Sequence, residues 1–288
     1  MSDADRESTR APLGLIAGAG SFPLLVADGA RACGRRLVVV GLRDCADESL
    51  RDRADAFYRA GIAQAGRWIR VLRREGVREA VMAGGVDKSR MLGHSWWRLW
   101  LAYRPDWTSI RIWYFRAADR RNDTLLRATA DEMERRGVTL IDSTLYCRDA
   151  LAPEGVLTRR APTAAQQADM ELGWRMAREM GRLDIGQSVA VKDKDVIAVE
   201  AIEGTARMIA RAGELCRAGG WTLVKVAKPN QDMRFDVPTV GPTTIEQLAA
   251  ARGAVLVVEA GRTLLLERER MIAAANAAGI VVIGRSGD

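Results

Sequence analysis

The polar residues best suited to chemistry follow a predicted strand in the C-terminal half of the chain. This segment contains three cations and two carboxylates: Lys225, Lys228, Arg234, Asp232 and Asp236. Cations of this kind neutralise phosphate, and a carboxylate can orient water or hold a divalent metal. A solvated charged loop is the alternative, but it explains poorly why so many prolines, glycines and charges lie between two apolar strands. We therefore interpret the segment as a phosphate-handling site.

A glycine turn near the start of the chain is a second candidate. A short apolar strand at 14–17 runs into this turn, and a helix is expected from Phe22. Backbone N–H groups at such a corner can bind phosphate, so the candidate contacts are Gly18, Ala19, Gly20, Ser21 and Phe22. The third glycine of a dinucleotide fingerprint is replaced by Pro23. A turn that only reverses the chain is the alternative.

Gly84 and Gly85 form a similar corner after a predicted strand at 79–83. Ligands of open parallel sheets bind at the carboxyl ends of the strands. The pattern is equally typical of a tight turn without a ligand.

The segment 93–116 is unusual in composition, since it holds five of the eight tryptophans, interleaved with arginines. Such a mixture can stack nucleic-acid bases or lie at a lipid headgroup boundary. An amphipathic helix packed on the protein itself is the alternative. His94, at the edge of this segment, is interpreted as a surface or packing residue.

Composition limits the class of protein. The 288 residues are 48% hydrophobic and 28% charged, with a formal charge of +7 that suits anionic partners. No apolar run reaches the ~20 residues of a membrane span. One histidine and four separated cysteines give neither a zinc knuckle nor a redox motif, so buried thiols are expected. An acidic start without a basic region argues against a secretory signal, and we expect a cytoplasmic protein.

The order of strands and helices predicts an α/β protein with two domains. Strands alternate with helices from 11 to 150, which predicts a parallel sheet covered by helices. Prolines and a glycine mark a linker at 151–162, and the second domain covers 163–288. There we predict a mixed α/β architecture with two hairpins, one formed by 188–192 and 196–200 and one turning at Ala260 and Gly261.

The chain resembles the UDP-2,3-diacylglucosamine pyrophosphatases of the LpxI type, which act in lipid A synthesis. The resemblance runs through most of the chain in order, over segments 14–23, 83–86, 122–127, 181–187, 199–205, 225–241 and 259–263. Segments 181–187 and 225–241 are the most specific. Ala206 replaces an aspartate that is usual in the family, and the tryptophan-rich stretch is not a family motif.

The resemblance implies a Rossmann-like N-terminal domain and a C-terminal domain peculiar to the family, with the lipid substrate held between them. It implies a divalent cation, usually Mg²⁺, and attack of water on the sugar-side phosphorus, which yields UMP and 2,3-diacylglucosamine 1-phosphate. The catalytic aspartate falls on Asp236, which is also the metal candidate, with Asp232 and Lys225 as further catalytic candidates. Besides the two glycine corners, the substrate-binding candidates are Asp123, Arg127, Asp184, Gly186, Gln187, Thr205, Lys228, Arg234 and Thr239.

An aspartate has an ordinary pKa near ~3.9, and neighbouring cations lower it, so Asp236 is a poor proton acceptor at neutral pH. We therefore favour positioning of metal or water. The acyl chains of the substrate predict peripheral association with the cytoplasmic surface of the inner membrane, and a homodimer is also expected. Two other classes stay open here: an NAD(P)-dependent oxidoreductase and a basic nucleic-acid-binding protein.

Overall fold

The computed structural model describes residues 11–86, 104–116, 122–229 and 231–287. The chain divides into two compact units. The first unit contains the chain up to Cys147 together with Asp232–Phe235, and the second contains Arg148–Gln231 and the chain from Asp236 onward. A four-residue piece of the charged C-terminal segment therefore belongs to the N-terminal unit.

The first unit is built on a parallel sheet. Its strands are β1 (Leu13–Ala17), β2 (Leu37–Leu42), β3 (Ala56–Ala60), β4 (Glu79–Ala83) and β5 (Thr139–Leu140), in the order β3-β2-β1-β4-β5. Each adjacent pair is parallel, as predicted. Every residue of β1 and β2 is buried, which explains their unbroken apolar sequences. The edge strand β3 was not predicted, because its half-buried residues lack that apolar run.

Helices of the first unit pack on this sheet through apolar faces. They are α1 (Phe22–Ala32), α2 (Ala65–Arg74), α3 (Trp107–Arg111), which continues into a π-helical turn at Ile112–Arg116, and α4 (Asn122–Arg135). Trp68, Ile69 and Leu72 of α2 enter a core that also holds Ile16 and Met133. Their spacing leaves the opposite face of α2 to polar residues.

The second unit is built on a mixed sheet. Its strands are β6 (Gly155–Val156), β7 (Ser188–Lys192), β8 (Asp195–Val199), β9 (Trp221–Lys225), β11 (Gly253–Glu259) and β13 (Val281–Arg285), in the order β6-β13-β11-β9-β7-β8. β9, β11 and β13 are parallel, whereas β6, β7 and β8 pair in antiparallel fashion. The predicted hairpin of β7 and β8 is confirmed. β6 lies inside the segment expected as a linker.

The second predicted hairpin is wrong. β11 is flanked on both sides by parallel strands, so it has no free edge for the next segment. Gly261, at a φ of +71°, instead directs the chain out of the sheet. β12 (Leu264–Leu265) then pairs in parallel with β10 (Thr239–Val240), apart from the main sheet.

Helices cover both faces of the mixed sheet. One face packs against α6 (Thr205–Leu215), α7 (Pro242–Ala250) and α8 (Arg268–Ala278), and the other packs against α5 (Ala164–Arg182). A Cβ on Gly173 of α5 would lie 2.6 Å from Val224, so this glycine lets α5 approach β9 closely. That contact positions the end of α5 beside the residues that follow β9.

No helix among the described residues is long and apolar enough to cross a membrane.

Candidate active site

The two glycine corners of the first unit meet at the carboxyl edge of the parallel sheet. The Gly18 N–H donates to the Ala83 carbonyl at 2.8 Å, and Ala19 and Gly85 exchange two backbone hydrogen bonds of 2.8 and 3.0 Å. A Cβ on Gly18 would lie 2.6 Å from the Gly85 oxygen. Glycine is therefore required at this position because the two turns approach backbone to backbone.

These bonds determine which amides remain for a ligand. The Gly18 and Ala19 amides already donate to carbonyls, whereas those of Gly20, Ser21 and Phe22 have no acceptor among the described residues. Gly20 is exposed and adopts a φ of +93°, which favours glycine. The amides at the start of α1 are thus better placed to meet an anion than the first two of the turn.

Lys225 is the central cation of the second unit. It ends β9 and is only 8% exposed. Its Nζ donates to the Thr239 carbonyl at 3.1 Å and to Thr205 Oγ1 at 3.3 Å. An ammonium group carries three N–H bonds, so these contacts leave one donor for a ligand.

Glu200 is the carboxylate that sequence reasoning missed. It is 7% exposed, and its Oε1 accepts a hydrogen bond of 2.9 Å from the same Thr205 hydroxyl that contacts Lys225. Its Oε2 is buried without a hydrogen-bond partner among the described residues. The predicted Gly186 explains the close packing here, since any Cβ on it would overlap the Glu200 carbonyl.

The charge on Lys225 depends on this environment. Burial lowers the pKa of Lys225 below its usual range, and the negative charges of Glu200 and Asp236 oppose that shift. Asp236 itself is half-buried. Within the second unit, the structure therefore brings together four predicted or newly identified polar residues around Lys225: Glu200, Thr205, Asp236 and the backbone of Thr239.

The segment after β9 is held by polar contacts, of which the one between Ala227 and Glu259 is buried. The Ala227 N–H donates to Glu259 Oε2 at 2.7 Å, and the Lys228 N–H donates to Gln231 Oε1 at 2.9 Å. Lys228 Nζ forms an ion pair of 2.7 Å with Asp184, another predicted site residue. The predicted Gln187 contributes through its carbonyl, which accepts the Val226 N–H at 3.0 Å.

Asp232 and Arg234 occupy a different setting, in the first unit. The Arg234 guanidinium donates to both Asp232 oxygens, with bonds of 2.6 to 3.1 Å. These bonds hold the pKa of Asp232 below its usual range, and the charge of Arg127 contributes further. Asp232 is thus bound by Arg234 within the first unit. Asp236, in contrast, belongs to the second unit, where its charge acts on Lys225.

Several residues singled out in the sequence analysis lie outside the part of the chain that the structure describes. Three tryptophans of the segment 93–116 (Trp96, Trp97 and Trp100) and His94 fall outside the described residues, as does the side chain of Asp123. Within the described residues, no group of three or more histidine, cysteine, aspartate or glutamate side chains is arranged to hold a metal. All four cysteines lie in described segments, and none forms a disulfide there. The expectation of buried thiols holds for Cys147 but is wrong for Cys33, which is exposed, while Cys45 and Cys216 are partly exposed.

Comparison with known proteins extends the resemblance to nearly the whole chain. A family model described as the LpxI N-terminal domain matches residues 12–150, and one described as the LpxI C-terminal domain matches 153–283. The chain belongs to the LpxI family. It is 37% identical over 284 residues to the UDP-2,3-diacylglucosamine pyrophosphatase LpxI of Caulobacter vibrioides. The match covers 94% of this chain and 96% of that LpxI protein. The matched ranges contain every residue of the two candidate sites.

Proposed function

We propose that this protein hydrolyses the diphosphate bond of UDP-2,3-diacylglucosamine, releasing UMP and 2,3-diacylglucosamine 1-phosphate. The observation that carries the proposal is the full-length similarity to a protein named for that activity. The buried Lys225, with a spare N–H and two carboxylates near it, supports the proposal because anhydride cleavage requires neutralisation of phosphate charge. Neither an oxidoreductase nor a nucleic-acid-binding protein explains that cluster.

The first unit is proposed to be Rossmann-like and to contact the diphosphate. Its strand order changes direction at β1, where β1 lies between β2 and β4. Ligands of such sheets bind at the carboxyl edge of this switch point. The amides of Gly20, Ser21 and Phe22, which have no acceptor among the described residues, lie there at the start of a helix, an arrangement that favours phosphate.

In the second unit, we assign Lys225 to charge stabilisation. Phosphoryl transfer depends mainly on positioning and electrostatics, and electrostatic interactions are stronger where water is excluded. Lys225 is fixed by two acceptors, so it meets the developing charge with little reorganisation. Lys228 is proposed as a second phosphate contact.

Asp236 is assigned to orienting the attacking water or holding Mg²⁺. The described residues supply no cage of three ligating side chains, yet Mg²⁺ commonly uses one or two carboxylates together with substrate phosphates. Asp236 therefore suits a cation whose remaining ligands come from the substrate. When bound, Mg²⁺ would supply Lewis-acid polarisation of the phosphoryl oxygens and a more acidic water. Whether Asp236 holds Mg²⁺ or orients water, Lys225 is proposed to bind the phosphate.

Two further proposals concern the location and the assembly of the protein. The acyl chains of the lipid substrate are apolar, so the protein is proposed to associate peripherally with the cytoplasmic surface of the inner membrane. Assembly as a homodimer also stays a prediction, which light scattering on the purified protein tests directly.

The proposed reaction is tested by incubation with UDP-2,3-diacylglucosamine and Mg²⁺ in water enriched in ¹⁸O. Release of UMP, with the label in 2,3-diacylglucosamine 1-phosphate, is the expected result, because water attacks the sugar-side phosphorus. Label in UMP would contradict the direction of attack. Absence of UMP from folded protein would contradict the activity itself.

A further inference from the structure

Helix α2 carries an arginine face that the proposed reaction does not use. Trp68, Ile69 and Leu72 enter the core, while Arg67, Arg70, Arg73 and Arg74 are exposed on the other face. The stretch Ala65–Arg74 contains no acidic residue. Basic amphipathic helices of this composition are typical of proteins that lie on anionic membrane surfaces.

A surface cavity of about 480 Å³ lies along this helix. Its lining includes Arg70, Arg73, Arg74 and Arg136. Arg136 is paired with the buried Glu132, and Arg74 donates to the hydroxyl of Tyr58. Arg70 and Arg73 form no ion pair or hydrogen bond among the described residues, so their charge is available to an anion.

The carboxylates near the cavity are already engaged. Asp106 lies beside the lining residue Gly66 and accepts from the N–H groups of Arg67 and Ser109. Glu132 is completely buried and is bound by Arg111, Arg135 and Arg136. Glu75, which follows α2, accepts from Tyr58 and Arg36. The arginines of this surface outnumber these carboxylates, so its local field is positive.

Exposed aromatic side chains belong to the neighbouring helix α3 and to the π-helical turn that follows it. Thr108 of α3 contacts both sides of the cavity: its hydroxyl accepts from Arg136 at 3.2 Å and leaves no room for a Cβ on Gly66. The preceding residue, Trp107, is 73% exposed, and Trp113 and Tyr114 follow at 44% and 63%. Tryptophan and tyrosine are enriched at the headgroup level of membranes.

We infer that the surface formed by α2 and α3, with its arginine-lined cavity, binds anionic phospholipid headgroups and docks the first unit on the membrane. Arg70 and Arg73 supply charge, and Trp107 enters the interface. The inference rests on the proposed function only in one respect: a lipid substrate gives the protein a reason to bind the membrane. The surface itself contains neither glycine corner and does not contain Lys225.

The test measures co-flotation of the full chain with vesicles of phosphatidylcholine alone and with 30% phosphatidylglycerol. Each arginine near an anionic surface strengthens binding about fivefold, so we expect Arg70→Gln with Arg73→Gln to lower partitioning about 30-fold. A control pair, Arg217→Gln with Arg268→Gln, removes the same charge from exposed positions of the second unit and should change partitioning only a few-fold. Trp107→Ala should weaken binding to both kinds of vesicle.

Equal binding by wild type and the Arg70/Arg73 variant, or an equal loss in the control pair, would overturn the inference. Displacement from vesicles by millimolar inorganic phosphate would also overturn it and indicate a site for free phosphate. Turnover of substrate in detergent micelles should be unchanged in the Arg70/Arg73 variant, and its loss there would assign these arginines to the reaction instead. A wild type that binds anionic vesicles but releases no UMP would contradict the proposed function and leave this inference standing.

Discussion

The replacement of Glu200 by glutamine tests the charge balance around Lys225. Both groups bond to the Thr205 hydroxyl, at 2.9 and 3.3 Å, so Oε1 and Nζ lie at most about 6.2 Å apart. At an effective dielectric constant of about 20, unit charges at that distance attract by about 2.7 kcal/mol. We therefore expect Glu200→Gln to lower the free energy of unfolding by about 3 kcal/mol at pH 7.5, or Tm by about 6–12 °C.

Glu203→Gln is the matched control. Glu203 lies three residues further on and pairs with Arg211, but both side chains are partly exposed. Such a surface ion pair contributes about 0–1 kcal/mol. Similar losses of stability in the two variants would refute the reasoning, since it assigns the large effect to the buried charge of Glu200 and a small one to the more exposed pair of Glu203.

The effect of Glu200→Gln should also depend on pH. Burial lowers the pKa of folded Lys225, so below pH 10.5 the unfolded chain binds the proton more readily and folding carries a penalty. Removal of an opposing charge enlarges that penalty at pH 7.5. The difference between wild type and variant, measured by urea unfolding, should shrink as pH rises toward 10.5, and a difference that grows would contradict this account.

Three further predictions follow from single contacts. Gly18→Ala forces a Cβ against the Gly85 carbonyl and should cost about 1–3 kcal/mol, whereas Gly85→Ala meets open space and should be nearly neutral; equal melting temperatures would contradict this. Lys225→Gln should lower turnover at least about 100-fold at similar substrate affinity, and retained turnover would remove its assigned role. Burial raises the pKa of Cys147 to about 12, so iodoacetamide at pH 8 should label exposed Cys33 first, as mass spectrometry would reveal.

The parts of the fold that sequence predicted are those with strong local patterns. Buried parallel strands such as β1 and β2 appear as continuous apolar runs, and the β7–β8 hairpin has polar residues between two β-rich runs. The hairpin predicted around Gly261 failed because a turn residue does not indicate which strand its neighbour pairs with. That pairing is decided by long-range contacts of β11.

The candidate site, like the fold, was predicted only in part from the sequence. Sequence singled out Lys225 and Asp236 from local composition and family resemblance, but the partner shared by Lys225 and Glu200 is Thr205, which lies 20 residues from Lys225 along the chain. Sequence also grouped Asp232 with Asp236, which are four residues apart. The structure assigns them to different units, because the chain crosses between the units at Asp232 and again after Phe235.

Asp236 is the residue on which the account depends most, and comparison of Asp236→Ala with Asp232→Ala measures its role directly. UMP release from UDP-2,3-diacylglucosamine with Mg²⁺ is the readout, with Tm and substrate binding measured on each variant. We predict that Asp236→Ala loses at least about 100-fold in turnover while it still folds and binds substrate, and that Asp232→Ala retains more turnover. Near-wild-type turnover in folded Asp236→Ala would contradict the account.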